Sequence, residues 1–327
     1  MNYLSQLAHS YLKDKKCLLR LNLDIDEADK DSFRIKAAVP TLELLINNGC
    51  RPLVISHRGR PRGKDEKLSL KPVIGNLKHQ LAIALGGKAF FDWLENLRFD
   101  PREQANDEVF AKELAARGDF FVNDDFATSH RENASLVQLP RQLPSFAGLI
   151  LEKEISNLTK IKDEPKQPLV LIIGGVKTDD KIKVIKSFHK KARHFLLGST
   201  YFGHQFPADL SDKVILPEDW VEHDEQKLDI GEKTIERYRK IIAQAGTIIW
   251  SGPLGQFEKP KYRRGSEEIA QAVAQSPAFS VVGGGATTKL LGSLGLLEQI
   301  GFVSTGGGAM LAFLAGEKLP GLEALSR

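Results

Sequence analysis

Leu169–Ile182 reads LVLIIGGVKTDDKI, and the fold follows from it. Residues Leu169 to Ile173 are apolar without a break, which predicts a strand buried on both faces, as in a parallel sheet covered by helices. Gly174 and Gly175 permit a tight turn, and Thr178-Asp179-Asp180 supplies residue types that start helices. Lys177 and Lys181 therefore fall near a helix N-terminus, four residues apart on one face. Free N–H groups and the helix dipole favour an anion there, and two ammonium groups beside them point to phosphate. Taken by itself the stretch is better described as a surface helix with solvated lysines.

Toward the N-terminus the same alternation of strand and helix repeats. Strands are expected at Cys17–Leu23, Pro52–Ser56, Phe90–Leu97 and Asp119–Val122, with helices at Arg34–Asn48, Lys71–Leu85 and Asp107–Arg117. Leu4, Leu7, Tyr11 and Leu12 suggest an opening helix. Leu149–Ile161 is amphipathic and precedes the proline-containing segment Asp163–Pro168, which makes it a connector between two lobes. Toward the C-terminus strands are expected at Phe195–Leu197, Val214–Leu216, Thr247–Trp250, Ala278–Val282 and Phe302–Ser304. Helices fall near Thr178–Phe188, Thr234–Gln244 and Ser266–Gln275, and a terminal helix closes the chain. The expected fold is α/β, two Rossmann-like lobes, each a parallel sheet flanked by helices. Residues 1–150 form the first, and 151–304 the second with the connector helix; residues 305–327 return to the first.

Composition excludes several classes. The chain of 327 residues is long enough for two cores, and its formal charge of +4 gives no long-range pull toward nucleic acid. Cys17 and Cys50 are the only cysteines, both beside apolar runs, which favours free thiols in a reducing compartment. No apolar run reaches the ~18 residues of a membrane span, and the N-terminus lacks a signal-peptide core. A soluble, cytoplasmic protein is expected. No interaction segment is evident, so a monomer is expected.

Polar, charged or glycine residues follow nearly every strand candidate, and in parallel sheets these carboxyl ends face the ligand crevice. Two such edges facing each other would make an interlobe cleft. In the first half, Arg51–Lys64 (RPLVISHRGRPRGK) carries five Lys or Arg and His57 without an acidic residue. Arg34, Arg98 and Arg131 also fall at element ends on the same edge. Guanidinium forks suit carboxylate and phosphate oxygens, so their convergence implies a small, multiply charged anion. The second half offers backbone: Val281–Thr287 (VVGGGAT) is a strand, a glycine turn and a helix start, and Gly306–Gly308 is another glycine-rich helix start. Neither GxGxxG nor GxxxxGK[ST] is present.

In order along the chain, FRIKAAVPT (33–41), SHRGRP (56–61), LSLKP (68–72), ENLRF (95–99), FVNDDFATSHR (121–131), GGVKTDDKI (174–182), DIGEKT (229–234), WSGPLGQFE (250–258), VVGGGATT (281–288), STGGGA (304–309) and LPG (319–321) resemble phosphoglycerate kinase. The resemblance implies reversible phosphoryl transfer between 1,3-bisphosphoglycerate and ADP, giving 3-phosphoglycerate and ATP in glycolysis. The acid would bind the N-terminal lobe, and Mg2+ with ATP or ADP the C-terminal lobe. It further implies an acid site of Asn22, Asp24, Arg34, His57, Arg60, Arg98 and Arg131. Its nucleotide site would comprise Lys177, Lys181, Glu258, Gly283, Gly284, Gly285 and Thr287. The transferring phosphoryl would meet Arg34, Lys177 and the N–H groups of Gly306, Gly307 and Gly308. Because the attacking oxygen is already anionic, alignment and charge neutralisation would suffice, and hinge closure would join the half-sites.

The sequence also departs from the family pattern. Asn22-Leu23-Asp24 exchanges the family's Asp-x-Asn, Ala286 stands at the metal-associated aspartate, and Ser251 replaces an asparagine. Gly198-Ser199-Thr200 replaces a glycine triplet, and the segments 72–95 and 200–229 are shortened. Asp179 or Asp180 could take over the metal, although capping the helix is the expected role. The alternative reading is a phosphoglycerate-kinase-like pseudoenzyme that binds ligand or partner without turnover. A nicotinamide-dependent enzyme is opposed by the missing GxGxxG and the paired lysines.

Overall fold

The computed structural model describes residues 1–26, 29, 32–87, 90–175, 179–201, 206 and 211–326, with 179 and 180 as backbone only. By contact density the chain divides into one unit of Met1–Ser156 with Lys318–Arg327 and another of Asn157–Glu317.

The first unit is built on strands Lys16–Arg20 (β1), Arg51–Ile55 (β2), Asp92–Trp93 (β3), Phe120–Asn123 (β4) and Ser145–Ala147 (β5). Their order is β3-β2-β1-β4-β5, and all neighbours are parallel. Helices Phe33–Asn47 (α1), Lys71–Ala84 (α2) and Glu108–Ala115 (α3) provide crossovers. Leu19, Leu21, Leu42, Leu45, Val54, Leu77 and Phe120 meet in one core. The order reverses direction between β1 and β4. At such a point the crossovers diverge to opposite sides and leave a crevice at the carboxyl ends. Here those ends are Arg20-Leu21-Asn22 and Asn123-Asp124-Asp125.

Helix Leu149–Asp163 (α4) starts directly after β5, and its cap is built from β4. Asp124 Oδ1 accepts from the N–H groups of Ile150 and Leu151 at 2.8 and 3.1 Å, while Oδ2 accepts from Thr41 of α1 at 2.6 Å. One fully buried carboxylate thus ties a strand end to two helices.

The second unit contains Leu169–Ile173 (β6), His194–Leu197 (β7), Val214–Ile215 (β8), the pair Trp220–His223 (β9) and Gln226–Ile230 (β10), then Thr247–Ser251 (β11), Phe279–Gly283 (β12) and Phe302–Ser304 (β13). Every residue of β6 is buried, as its apolar run requires. The main sheet runs β13-β12-β11-β6-β7-β8 and is parallel throughout; β9 and β10 form a separate antiparallel pair. Helices are Asp179–Phe188 (α5), Glu232–Ile242 (α6), Arg264–Gln275 (α7), Gly285–Ser293 (α8) and Gly307–Leu314 (α9). The reversal lies between β11 and β6. The last helix, Pro320–Leu325 (α10), belongs to the first unit, where Gly321 N–H donates to Ser129 O at 2.9 Å.

Several elements differ from the sequence expectation. The opening helix is broken into a 3-10 turn at Leu4–Gln6 and a single turn at His9–Leu12, because Leu7 and Ala8 are extended. Both Leu4 and Leu12 reach the core this way, and packing overrides periodicity. The expected strand Phe90–Leu97 shrinks to β3: Glu95 leaves the ladder to accept from Ser69 Oγ and Leu70 N–H, and Asn96 caps a 3-10 turn at Leu97–Phe99. Neither β5 nor the β9–β10 hairpin is expected from the sequence. The hairpin's turn residues Asp224 and Glu225 adopt φ of 48° and 61° without the Asn-Gly or Asp-Gly signal that normally marks such a turn.

Candidate active site: a basic half-site and a glycine half-site

At the β1/β4 crevice a charged network surrounds Arg20, which is fully buried at the end of β1 directly after Cys17-Leu18-Leu19. Its guanidinium lies 3.1 Å from Asp125 Oδ2, donates to Leu21 O and Ser135 Oγ at 2.6 and 3.1 Å, and meets His57 Nδ1 at 2.9 Å. Asp125 also accepts from Asn22 Nδ2 at 2.9 Å and from Thr128 Oγ1 at 2.5 Å. Burial acts to raise its carboxyl, but Arg20 and these hydrogen bonds hold it below the usual aspartate value. Ser135 is fixed in turn by Glu103, Oγ to Oε1 at 2.6 Å.

Around this network stand the residues expected from the sequence. Asp24 Oδ1 accepts from Gly59 N–H at 2.8 Å, and Oδ2 lies 3.7 Å from His57 Nε2. Arg34 donates to Asp24 O at 2.7 Å from the first turn of α1. Arg98 is 3 % exposed and donates through one Nη to Gly59 O at 2.7 Å, but its buried Nε has no hydrogen-bond partner among the described residues. Burial first, then Arg131 and Arg20, push this guanidinium down to about 10. Buried like charges with an unsatisfied donor make a site that gains from an anion. Arg60 is exposed and Arg131 half-buried. Within the basic loop Arg58 has a structural task, donating to Ile25 O and Ser69 O at 3.2 and 3.0 Å.

Arg20 and Asp125 were absent from the sequence-based site. The available signal was a lone arginine inside CLLRLNL, since a charge in a buried strand needs a buried partner. The exchange at Asn22 and Asp24 has a local counterpart: a carboxylate, Asp125, sits 2.9 Å from the amide of Asn22.

In the second unit the β6 and β11 ends touch through backbone. Gly174 N–H donates to Ser251 O at 3.0 Å and Gly175 N–H to Pro253 O at 2.6 Å. Gly252 has φ of +88°, and a Cβ there would lie 2.3 Å from Gly174 O, so only glycine fits. Thr287, fully buried on α8, accepts from Gly252 N–H at 2.9 Å and braces this turn. Gly284 caps α8 at φ of 110°, and the start of α9 packs so closely that a Cβ on Gly307 would come within 2.5 Å of Gly284 Cα. Two helix N-termini, at Gly285 and Gly307, therefore sit side by side after β12 and β13.

Lys181 is 9 % exposed, donates to Gly174 O at 2.5 Å, and is pushed down to about 8 by burial. Glu258 and Ala286 are exposed. Lys177 lies outside the described residues, as do the side chains of Asp179 and Asp180.

A sequence profile of phosphoglycerate kinase matches residues 7–202 and 200–317. The chain belongs to the phosphoglycerate kinase family. It is 35 % identical to the phosphoglycerate kinase of Solibacter usitatus over the whole of both chains. It is 36 % identical to that of Herpetosiphon aurantiacus, over 95 % of this chain and 96 % of the relative. Among solved structures, phosphoglycerate kinase from Pyrococcus horikoshii aligns with TM-score 0.85 and 28 % identity, covering 100 % of this chain and 98 % of that one. The Coxiella burnetii enzyme aligns with TM-score 0.80 and 29 % identity, over 99 % and 98 %. For a kinase of this family the metal position is the notable feature. A methyl group at Ala286 cannot ligate Mg2+, and among the described residues no group of three His, Cys, Asp or Glu could hold a metal ion. Mg2+ in such sites usually takes only one or two carboxylates and fills its shell from substrate phosphates and water.

Proposed function

We propose a division of labour for this chain, whose reaction as a phosphoglycerate kinase is reversible phosphoryl transfer between 1,3-bisphosphoglycerate and ADP, giving 3-phosphoglycerate and ATP. The acid and its phosphate bind the first unit, through Arg34, Arg60, Arg98 and Arg131 with Asn22, Asp24 and His57. The nucleotide binds the second unit, at Lys177, Lys181, Thr287 and the Gly283–Gly285 turn, with Glu258 at its ribose. The observation that carries the acid site is Arg98, a buried guanidinium with an unpartnered Nε among other arginines.

Chemistry at the transferring group needs alignment and neutralisation of charge rather than a base, because the carboxylate oxygen attacks as an anion. Arg34 and Lys177 supply cations, and the N–H groups of Gly306, Gly307 and Gly308 at the start of α9 supply oriented dipoles. Mg2+ comes in with the nucleotide phosphates as part of that substrate; no residue of this chain is assigned to it. Nothing described favours the binding-only alternative. A monomeric, cytoplasmic enzyme remains our reading of the composition.

The test is a coupled assay with ATP, Mg2+ and 3-phosphoglycerate, reading product by NADH loss in the glyceraldehyde-phosphate dehydrogenase step. Activity that disappears without Mg2+ and falls at least about 100-fold in Arg34→Ala is expected. Turnover unchanged in Arg34→Ala would remove that residue from the transfer.

A further inference from the structure

His57 sits among cations, and the sequence groups it with them, yet its contacts give it another character. An arginine carries donors only, so the Arg20 Nη at 2.9 Å from His57 Nδ1 requires that nitrogen to be the acceptor. The ring proton then belongs on Nε2, which lies 3.7 Å from the carboxylate of Asp24, a side chain 42 % exposed. Arg20 cannot turn away from the ring freely, because Asp125, Leu21 O and Ser135 Oγ hold the rest of the guanidinium. His57 is itself 1 % exposed, so it has no bulk water with which to exchange roles.

We propose that Arg20, held by Asp125, is a positioning residue that fixes His57 as the neutral tautomer with its proton on Nε2, so that the ring offers the acid ligand a hydrogen bond and no charge. The part concerning the ligand rests on the acid-site reading above. The charged groups facing the ring are Arg20 on β1, Asp24 after it, Asp125 after β4, Arg98 in the Leu97–Phe99 turn and Arg131. Asp125 Oδ2 is 3.9 Å from Nδ1, so without Arg20 a carboxylate would be the nearest charge to that nitrogen. The ring would then take up a proton on Nδ1 and become a cation. Arg20 therefore does more than pair with Asp125: it denies His57 that proton.

The first measurement is a long-range 1H–15N spectrum of the full chain labelled at histidine nitrogen, with His57→Gln identifying the signal. The expected result is the Nε2–H pattern with no titration between about pH 5.5 and 8; an Nδ1–H pattern, or titration near the ordinary value of about 6.5, overturns the proposal. The second compares KM for 3-phosphoglycerate in Arg20→Met with that of the parent across the same range, since the ligand's own phosphate titration cancels in the ratio. The ratio should be about tenfold larger at pH 8 than at pH 5.5, the worth of one charge-assisted bond, and Arg20→Lys should flatten it. A ratio independent of pH means that Arg20 acts on stability alone and overturns the positioning role. If Arg20→Met does not fold, the parent spectrum decides. Added 3-phosphoglycerate should move the Nε2 shift; a tautomer that stands while the shift does not move sinks the acid-site reading and leaves the assignment of the proton intact.

Discussion

Arg98 and Asp125 are both buried charges, and they lead to opposite expectations on substitution. Arg98 has like-charged neighbours and a donor to spare. Arg98→Met should weaken 3-phosphoglycerate binding by about 10- to 100-fold, one or two charge-assisted bonds, while leaving the urea midpoint nearly unmoved. Calorimetric titration paired with urea unfolding checks this, and unchanged affinity would rule Arg98 out as a ligand contact. Asp125 balances Arg20. Asp125→Ala leaves that guanidinium uncompensated and should cost about 3–5 kcal/mol of stability. The pH dependence follows from the sign of its shift. A carboxyl held below its ordinary value contributes stability that is fully present above about pH 4 and is lost as pH falls through the folded-state value. The acid-unfolding profile of Asp125→Asn should lack that loss.

At the scale of elements, Asp124 behaves in the reverse sense to its neighbour. Burial raises it to about 7 even though it caps α4 and accepts from Thr41. The folded state therefore keeps a proton that the unfolded chain releases near pH 4, and this contribution to stability declines as pH rises from about 4 to 7. Replacement by asparagine should flatten that decline, whereas Asp124→Ala removes a cap and leaves α4 N–H groups buried, for a loss of about 2–4 kcal/mol in urea unfolding. In the second unit, Gly252→Ala forces a side chain into a φ of +88° against Gly174 O. A loss above about 1 kcal/mol and weaker ADP binding are expected by thermal shift with and without ADP; unchanged affinity would detach this turn from the nucleotide.

These elements also show what a sequence makes legible. The buried run of β6 and the glycine turns after β6, β11 and β12 could be read directly, because unbroken apolarity and glycine each leave few conformational choices. The basic loop was legible as a cluster but not as a division of tasks: nothing in SHRGRP tells that Arg58 holds Ile25 and Ser69 while His57 faces Arg20. Those assignments depend on partners 11, 33 and 37 residues away, and local pattern carries no information about them. Strand β3 was overestimated for the same reason, since Glu95 is drawn off the sheet by Ser69 and Leu70.

For the whole molecule, each unit has its own sheet, and α10 completes the first one from beyond the second. Leu319, Leu322 and Leu325 are buried there, each worth about 1.5–3 kcal/mol. Ending the chain after Glu317 should therefore destabilise the first unit alone. Trp93 lies in it, while Trp220 and Trp250 lie in the second, so single-tryptophan variants can follow the two unfolding transitions separately. A truncation that shifts both transitions equally would mean that the units do not unfold independently. The same arrangement bears on synthesis at the ribosome. The sheet carrying the arginines is made first, but the helix that finishes it is translated only after all of Asn157–Glu317, so the segment begun later can fold to completion earlier. Until α10 arrives, the nascent first unit leaves its seat against the Ala134–Gln138 and Leu139–Arg141 turns and β5 unfilled, and that interval is the time in which a chaperone has something to hold.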